Sequence, residues 1–232
     1  MQLVFVIDPL PRLDPTHDTS VALMEAACRA GHEVFWTEMH RLRAVGGQVQ
    51  AQLQPVAVAP VRWGGDRWQV PDPWYTVEPW QDINLADMDA VWMRVDPPVT
   101  SEYLYATYLL DLLTGTGCRV FNRPDGIRNA NEKLYALHFA EVMPPTVVTG
   151  DRQVIAHFLA EHGKAVLKPL AGKGGEGILM LVPDDRNFNS LVELSTNRGR
   201  TPVMVQAYLP AAQEGDKRIV VLDGEPIGAV NR

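Results

Sequence analysis

Over the first 121 residues, short apolar runs alternate with helix-length segments, and this alternation restricts the fold more than any other feature of the chain. Residues 3–7 form an uninterrupted apolar run closed by Asp8-Pro9. A run of that length ending at a turn signal reads as a strand buried on both faces. Asp18 or Thr19 can cap a helix reaching Arg29, with Val21, Met24 and Cys28 on one face. Gly31 stops it, and residues 34–37 give a second strand. Strand, helix and strand in this order imply a parallel pair. A further buried strand at 90–95 ends in Asp96-Pro97-Pro98, a helix follows at 101–113, and residues 119–121 form another strand. Pro124 opens a helix expected to reach about Ala140. Residues 46–61 read as a two-stranded ribbon behind Gly46-Gly47, and residues 64–79, rich in Trp, Pro and Gly, as an irregular excursion.

Past Met143-Pro144-Pro145 the pattern changes. Strands are expected at 146–148, 165–170, 178–182, 203–205 and 218–222, with helices at 151–161 and 187–196. Asp223-Gly224 is a hairpin turn signal leading into a last strand at 226–230. The chain therefore reads as α/β in two parts. An open, mostly parallel sheet domain covers 1–126, and a domain of mixed sheets with helices covers 127–232, with the boundary near 125–131.

Charge and length exclude several classes. With 21 Lys+Arg against 28 Asp+Glu the net charge is −7, which argues against a nucleic-acid partner, since phosphate-backbone binding needs a basic surface. A small anion held by a few local cations is still compatible with it. No apolar stretch approaches the roughly 18 residues of a membrane span, and the first eight residues lack the cationic start of a signal peptide. Cys28 and Cys118 are isolated, as expected in a reducing cytoplasm. The six His show no metal-ligand spacing.

The segment from Ala165 to Met180 carries the strongest chemical signal. Gly172, Gly174 and Gly177 fit G-x-G-x-x-G, with Gly175 between them. A dinucleotide site would need a helix directly after these glycines. An apolar β-branched run follows instead, so the unit is strand, glycine loop, strand. Two readings stay open on these residues, a hairpin whose backbone N–H groups cover phosphates and a plain surface hairpin. Lys168 sits inside the apolar strand before the loop, where a lysine is costly unless paired or bound to an anion. Lys133 lies on the helix after the boundary, where taken alone it reads as a solvated lysine. The strand ending in Gln206-Ala-Tyr208-Leu209-Pro210 exits into an extended linker, which is either a plain strand-to-loop exit or one able to offer backbone groups to a base edge. Asp216-Lys217-Arg218 enters the next strand as a charged end or an anion site. In the first half, Asp8 and Asp96 end strands before Pro, with Arg94 nearby, which suits either turn chemistry or a zwitterionic ligand.

Together these residues resemble a known family. The ordered set Asp8-Pro9, Asp18-Thr-Ser20, Arg94-Val-Asp-Pro-Pro98, Asn131-Glu-Lys133-Leu134, Lys168-Pro-Leu-Ala-Gly-Lys-Gly-Gly175, Gln206-Ala-Tyr-Leu-Pro210 and Gly215-Asp-Lys-Arg218 is similar to that of the bacterial glutathione synthetases, members of the ATP-grasp superfamily. The resemblance implies a partial ATP-grasp domain in the second half. It also implies ATP-dependent joining of γ-glutamylcysteine and glycine through an acyl phosphate. On this resemblance Lys133 and Lys168 hold the nucleotide, and the loop holding Gly172, Gly174, Gly175 and Gly177 closes over the phosphates. Gln206, Tyr208 and Leu209 read adenine, and Asp216 meets the ribose. Arg218 and Arg232 face the reacting groups. Asp8, Ser20, Arg94 and Asp96 take the peptide. The family's Glu-x-Asn pair does not occur in the 232 residues, and the two Asp-x-Asn runs, Asp82-Ile-Asn84 and Asp185-Arg-Asn187, read as loops. The resemblance therefore implies a C-terminally truncated chain whose Mg²⁺ ligands lie beyond residue 232, able to bind nucleotide without completing the ligation. It also implies a homo-oligomer in the cytoplasm. Another ATP-grasp carboxylate–amine ligase and a non-catalytic nucleotide-binding fragment are the alternatives.

Overall fold

The structure is a computed structural model that describes every residue except Asp66, Lys173 and Arg232. It divides into two compact units, Met1–Asn131 and Glu132–Arg232.

The first unit contains β1 (Gln2–Val6), α1 (Thr19–Arg29), β2 (Glu33–Thr37), β3 (Leu42–Val45), β4 (Gln48–Val58), β5 (Arg62–Gly64), β6 (Arg67–Gln69), β7 (Tyr75–Val77), β8 (Gln81–Asn84), β9 (Ala90–Met93), α2 (Ser101–Asp111), β10 (Arg119–Phe121) and α3 (Pro124–Asn129). Its main sheet runs β10-β9-β1-β2-β4-β3, with β7 and β8 also paired to β4. The first four strands are parallel; β4 pairs antiparallel with β2, β3, β7 and β8. Side chains of β1 alternate between two cores, as the period of a strand requires. Leu3 and Phe5 join Val21 and Met24 of α1, whereas Val4 and Val6 join Tyr103, Ala106 and Leu110 of α2. Asp18 starts α1 by accepting the N–H groups of Ser20 and Val21, satisfying two of the donors a helix start leaves orphaned.

Three local expectations change. The ribbon at Gly46-Gly47 has its first strand ahead of the glycines, and β4 continues unbroken through Pro55. Pro55 falls between the stretches of β4 that pair with β8 and β7, so its missing N–H removes no ladder bond on that side. The expected excursion at 64–79 holds β6, β7 and the end of β5, and Asp82-Ile-Asn84 lies in β8 rather than a loop. Strands of three or four residues are too short to show a period. The helix opened by Pro124 stops at Asn129, and a 3₁₀ stretch, Tyr135–Val142, follows a turn. Asn129 and Asn131 compete with the helix for backbone hydrogen bonds. Lys133 therefore sits in that turn and not on a helix.

The second unit contains β11 (Thr146–Thr149), α4 (Arg152–His162), β12 (Ala165–Pro169), β13 (Leu179–Leu181), α5 (Phe188–Ser195), β14 (Val203–Ala207), β15 (Lys217–Leu222) and β16 (Glu225–Asn231). Strands β11-β14-β12-β13 form one antiparallel sheet. Its inner face, with Ala165, Leu167, Leu181, Val203 and Val205, packs on Ile155, Phe158 and Leu159 of α4 and Val192 of α5. Strands β15 and β16 pair with each other and are exposed throughout. Among the described residues no helix is long and apolar enough to cross a membrane.

Candidate functional site

In the second unit the site is built on the sheet face opposite α4 and α5. The side chains of Ala165 and Leu167 point into the core, so the alternation of β12 puts Val166 and Lys168 on the other face. Register places Val166 against Gln206 and Lys168 against Met204 of β14. The Lys168 Nζ donates to Gln206 Oε1 at 2.6 Å, Gln206 Nε2 donates to Thr146 Oγ1 at 2.9 Å, and Thr146 Oγ1 donates to the Pro144 carbonyl at 2.7 Å. This relay fixes the lysine without neutralising it, because each of its acceptors is uncharged. Burial pushes the Lys168 ammonium below the usual lysine range, and the charge of Lys133 lowers it further.

Lys133, itself bonded to Glu132, borders a cavity of about 260 Å³ with Pro169, Gly172, Gly174, Gly175 and Glu176. The glycine loop therefore forms the connection of the β12–β13 hairpin beside two mutually repelling cations. Such a pair, with Lys168 held by a neutral acceptor and Lys133 by Glu132, suits an anion by its electrostatics. Gly177 needs to be glycine, because its φ is +70° and an added Cβ would meet Pro169 Cγ at 2.7 Å.

The remaining candidates of this unit are placed differently. Gln206 uses its side chain to anchor Lys168, so its expected reading of adenine is not available to that side chain as it stands. In the linker, the Tyr208 N–H donates to the Lys164 carbonyl and the Leu209 carbonyl accepts from Ala212. The Tyr208 carbonyl and Leu209 N–H are thereby left as the unengaged backbone groups there, among the described residues. Asp216 precedes β15 and Arg218 lies on that exposed strand. No hydrogen bond or ion pair among the described residues ties Arg218 to the glycine loop, Lys133 or Lys168. Arg232 and Lys173 lie outside the described residues.

In the first unit the four peptide-side candidates come together. Strands β1 and β9 are parallel neighbours, so Asp8 and the pair Arg94 and Asp96 leave the sheet at the same end. The Arg94 N–H donates to the Val6 carbonyl at 2.9 Å and the Asp96 N–H to Asp8 Oδ2 at 3.1 Å. The Arg94 guanidinium reaches the first turn of α1, donating to Thr19 Oγ1 at 2.6 Å and to Ser20 Oγ at 3.4 Å. Tyr103 of α2 closes the cluster with its hydroxyl on the Val95 carbonyl at 3.4 Å. Burial holds the Tyr103 phenol above its ordinary range; Arg94 opposes this, and Asp96 and Asp8 add to it. Chain order reverses here, since β2 lies on one side of β1 and β9 on the other. The crevice outside such strand ends is where open α/β sheets hold ligands. A cavity of about 330 Å³ lies beside it, bordered by Asp8, Glu38, His40 and Glu102. A larger one, about 600 Å³, lies elsewhere on this unit, among residues such as Gln2, His32 and Thr76, and holds none of the candidates. Thr19 and Tyr103 were not among the residues singled out from sequence. Only the helix-start position of Thr19, next to Ser20, carried any signal.

Residues 1–128 match the family model for the prokaryotic glutathione synthetase N-terminal domain, and residues 132–232 match the one for the prokaryotic glutathione synthetase ATP-grasp domain. The chain belongs to the prokaryotic glutathione synthetase family. Glutathione synthetases of Synechocystis sp. and Synechococcus elongatus are 58% and 56% identical to it over 232 residues, covering all of this chain and 72% of each relative. The solved D-cycloserine synthetase DcsG, at 17% identity, aligns with a TM-score of 0.61 over 100% of this chain and 67% of its own, so the two share a fold. As a member of the glutathione synthetase family, the chain is an ATP-dependent ligase that makes glutathione.

Proposed function

We propose that the second unit holds the nucleotide and the first unit holds γ-glutamylcysteine. The observation that carries this reading is the pairing of Lys168 with Lys133 beside the glycine loop. Lys168, its charge disfavoured by burial and by the nearby Lys133, gains most when a polyphosphate arrives. In this reading Lys133 and Lys168 bind the ATP phosphates. The loop with Gly172, Gly174, Gly175 and Gly177 covers them through backbone N–H groups. Tyr208 and Leu209 meet the adenine edge and Asp216 the ribose. Arg218 and Arg232 serve the reacting carboxylate and phosphate. Asp8, Ser20, Arg94 and Asp96 receive the peptide, the guanidinium taking a carboxylate and the acids an ammonium group.

The chemistry needs no nucleophilic side chain. A cysteinyl carboxylate oxygen attacks the γ-phosphorus as the bond to the β,γ-bridging oxygen breaks, releasing ADP. The glycine amine then attacks the acyl carbon, phosphate leaves, and the amine loses its proton. The protein supplies positioning and charge stabilisation. Mg²⁺ is part of this reading as the counter-ion of the nucleotide. Among the described residues no three His, Cys, Asp or Glu side chains gather, and no step is assigned to the ion. We place the reaction in the cytoplasm, a compartment that suits the unpaired Cys28 and Cys118.

Titration calorimetry on the whole chain separates the two halves of the proposal. Lys133→Met is expected to weaken ATP binding by about tenfold and leave γ-glutamylcysteine binding unchanged, and Arg94→Ala to do the reverse, since each removes a charged hydrogen-bond donor. Equal losses of both ligands in either variant would defeat the assignment.

A further inference from the structure

We infer that Thr19 is a positioning residue for substrate recognition, its Oγ1 fixing the Arg94 guanidinium toward a carboxylate of the peptide. This rests on the assignment of Arg94 to the peptide side proposed above. The Nη2–Oγ1 bond at 2.6 Å is the short contact of that guanidinium, and the Nε contact to Ser20 Oγ, at 3.4 Å, is long. Among the described residues no carboxylate lies within ion-pair distance of Arg94. A half-buried guanidinium usually finds one. Here neutral hydroxyls hold it instead, which orients the group and keeps its full charge for a ligand.

α1 is an 11-residue helix, and Arg94 stands at its N-terminus, the end where a cation is disfavoured by the helix dipole. Asp18 offsets part of this, but its Oδ1 is engaged by the N–H groups of Ser20 and Val21. An arriving carboxylate meets the guanidinium and the positive helix end together. On the other side of the same strand ends stands the Asp8 carboxylate, tied to the Asp96 N–H by one oxygen. A guanidinium and a carboxylate side by side fit the paired carboxylate and ammonium of an α-amino acid head, which the glutamyl end of the peptide carries. An unanchored arginine loses rotamer freedom on binding. Thr19 imposes that order before the ligand comes.

The test is calorimetric titration of γ-glutamylcysteine into the whole chain. Thr19→Val, at an exposed position with the Asp18 cap intact, should weaken binding about tenfold, the worth of a hydrogen bond to a charged group. Thr19→Ser should bring it back to within about threefold, and ATP affinity should not move in either. A second peptide, with the glutamyl α-carboxylate replaced by its amide, gives a readout that a structural role would not alter. The unsubstituted chain should discriminate against the amide, and Thr19→Val should lose most of that ratio. Thr19→Val binding as tightly as the unsubstituted chain, with Arg94→Ala weakened, overturns the role of Thr19 alone. Arg94→Ala without effect overturns the assignment of Arg94, and no binding by the unsubstituted chain overturns both.

Discussion

Replacing Lys168 by Met is expected to lower ATP affinity about a hundredfold and to leave the chain folded. The first part follows from the position of the ammonium, inside a sheet, half-buried, and aimed by Gln206 rather than neutralised by it. Loss of a desolvated cation facing a phosphate removes about 3 kcal/mol. The second part follows from the opposite face of β12. Leu167 and Ala165 are fully buried in the core with α4 and α5 and do not sense the change. Removing the lysine strands Gln206 Oε1, at a cost of about 1–3 kcal/mol, but also ends its repulsion by Lys133. Burial and Lys133 hold the folded Lys168 below its ordinary value. Below that folded value both folded and unfolded chains carry the proton, and the cost of the buried charge is fully present. Between the folded value and the ordinary lysine value the unfolded chain binds more protons, so stability rises with pH. ATP affinity should fall across the same window as Lys168 loses its charge. Calorimetric titration with ATP as a function of pH, and urea unfolding alongside, reads both trends. A Lys168→Met chain that binds ATP normally, or whose stability keeps the same alkaline rise, would show that the lysine does neither.

What the sequence made legible follows from where its signals were local. Asp18, Pro124 and Gly31 act on their immediate neighbours, and the ends of α1, α3 and β2 follow from them. The uninterrupted apolar run Leu3, Val4, Phe5 and Val6 marks a strand because α1 covers one of its faces and α2 the other. The region around β5 to β8 resisted reading because its short strands owe their shape to pairing along the long β4 and to each other, not to a pattern of their own. Lys168 stood out in sequence because a lysine in an apolar run violates a simple rule. The role of Gln206 did not, because only the antiparallel register of β12 and β14 brings it to the lysine from 38 residues away. Thr19 and Arg94, 75 residues apart, meet for the same kind of reason, the parallel placement of β1 and β9. Arg218 shows the converse. The family resemblance gives it a role at the reacting groups, and its own surroundings are an exposed two-stranded hairpin.

Within the glycine loop, substitutions to Ala should be sharply unequal, with Gly177 the most damaging. Gly174 and Gly175 have φ of +63° and +81° with nothing within 4 Å of an added Cβ. Alanine there meets only the backbone penalty of the left-handed region, about 1–2 kcal/mol. Gly177 carries the same penalty and a collision besides, with Pro169 Cγ at 2.7 Å and Cδ at 3.5 Å. Pro169 cannot yield easily, since its ring is rigid and it ends β12 opposite Val203 of β14. Overpacking of this kind adds about 1–3 kcal/mol. The strain relaxes at the turn closed by the Ile178 N–H on the Gly175 carbonyl, which loosens the hairpin that carries the loop. Gly177→Ala should therefore lose on the order of tenfold more ATP affinity than Gly174→Ala or Gly175→Ala, from the difference between these penalties. It should also be cut faster by protease between residues 172 and 178. Equal affinities across the three variants would mean that the contact with Pro169 does not shape the loop. A Gly174→Ala chain more impaired than Gly177→Ala would place the critical backbone at the tip, where the phosphates would need the N–H groups bare of side chains.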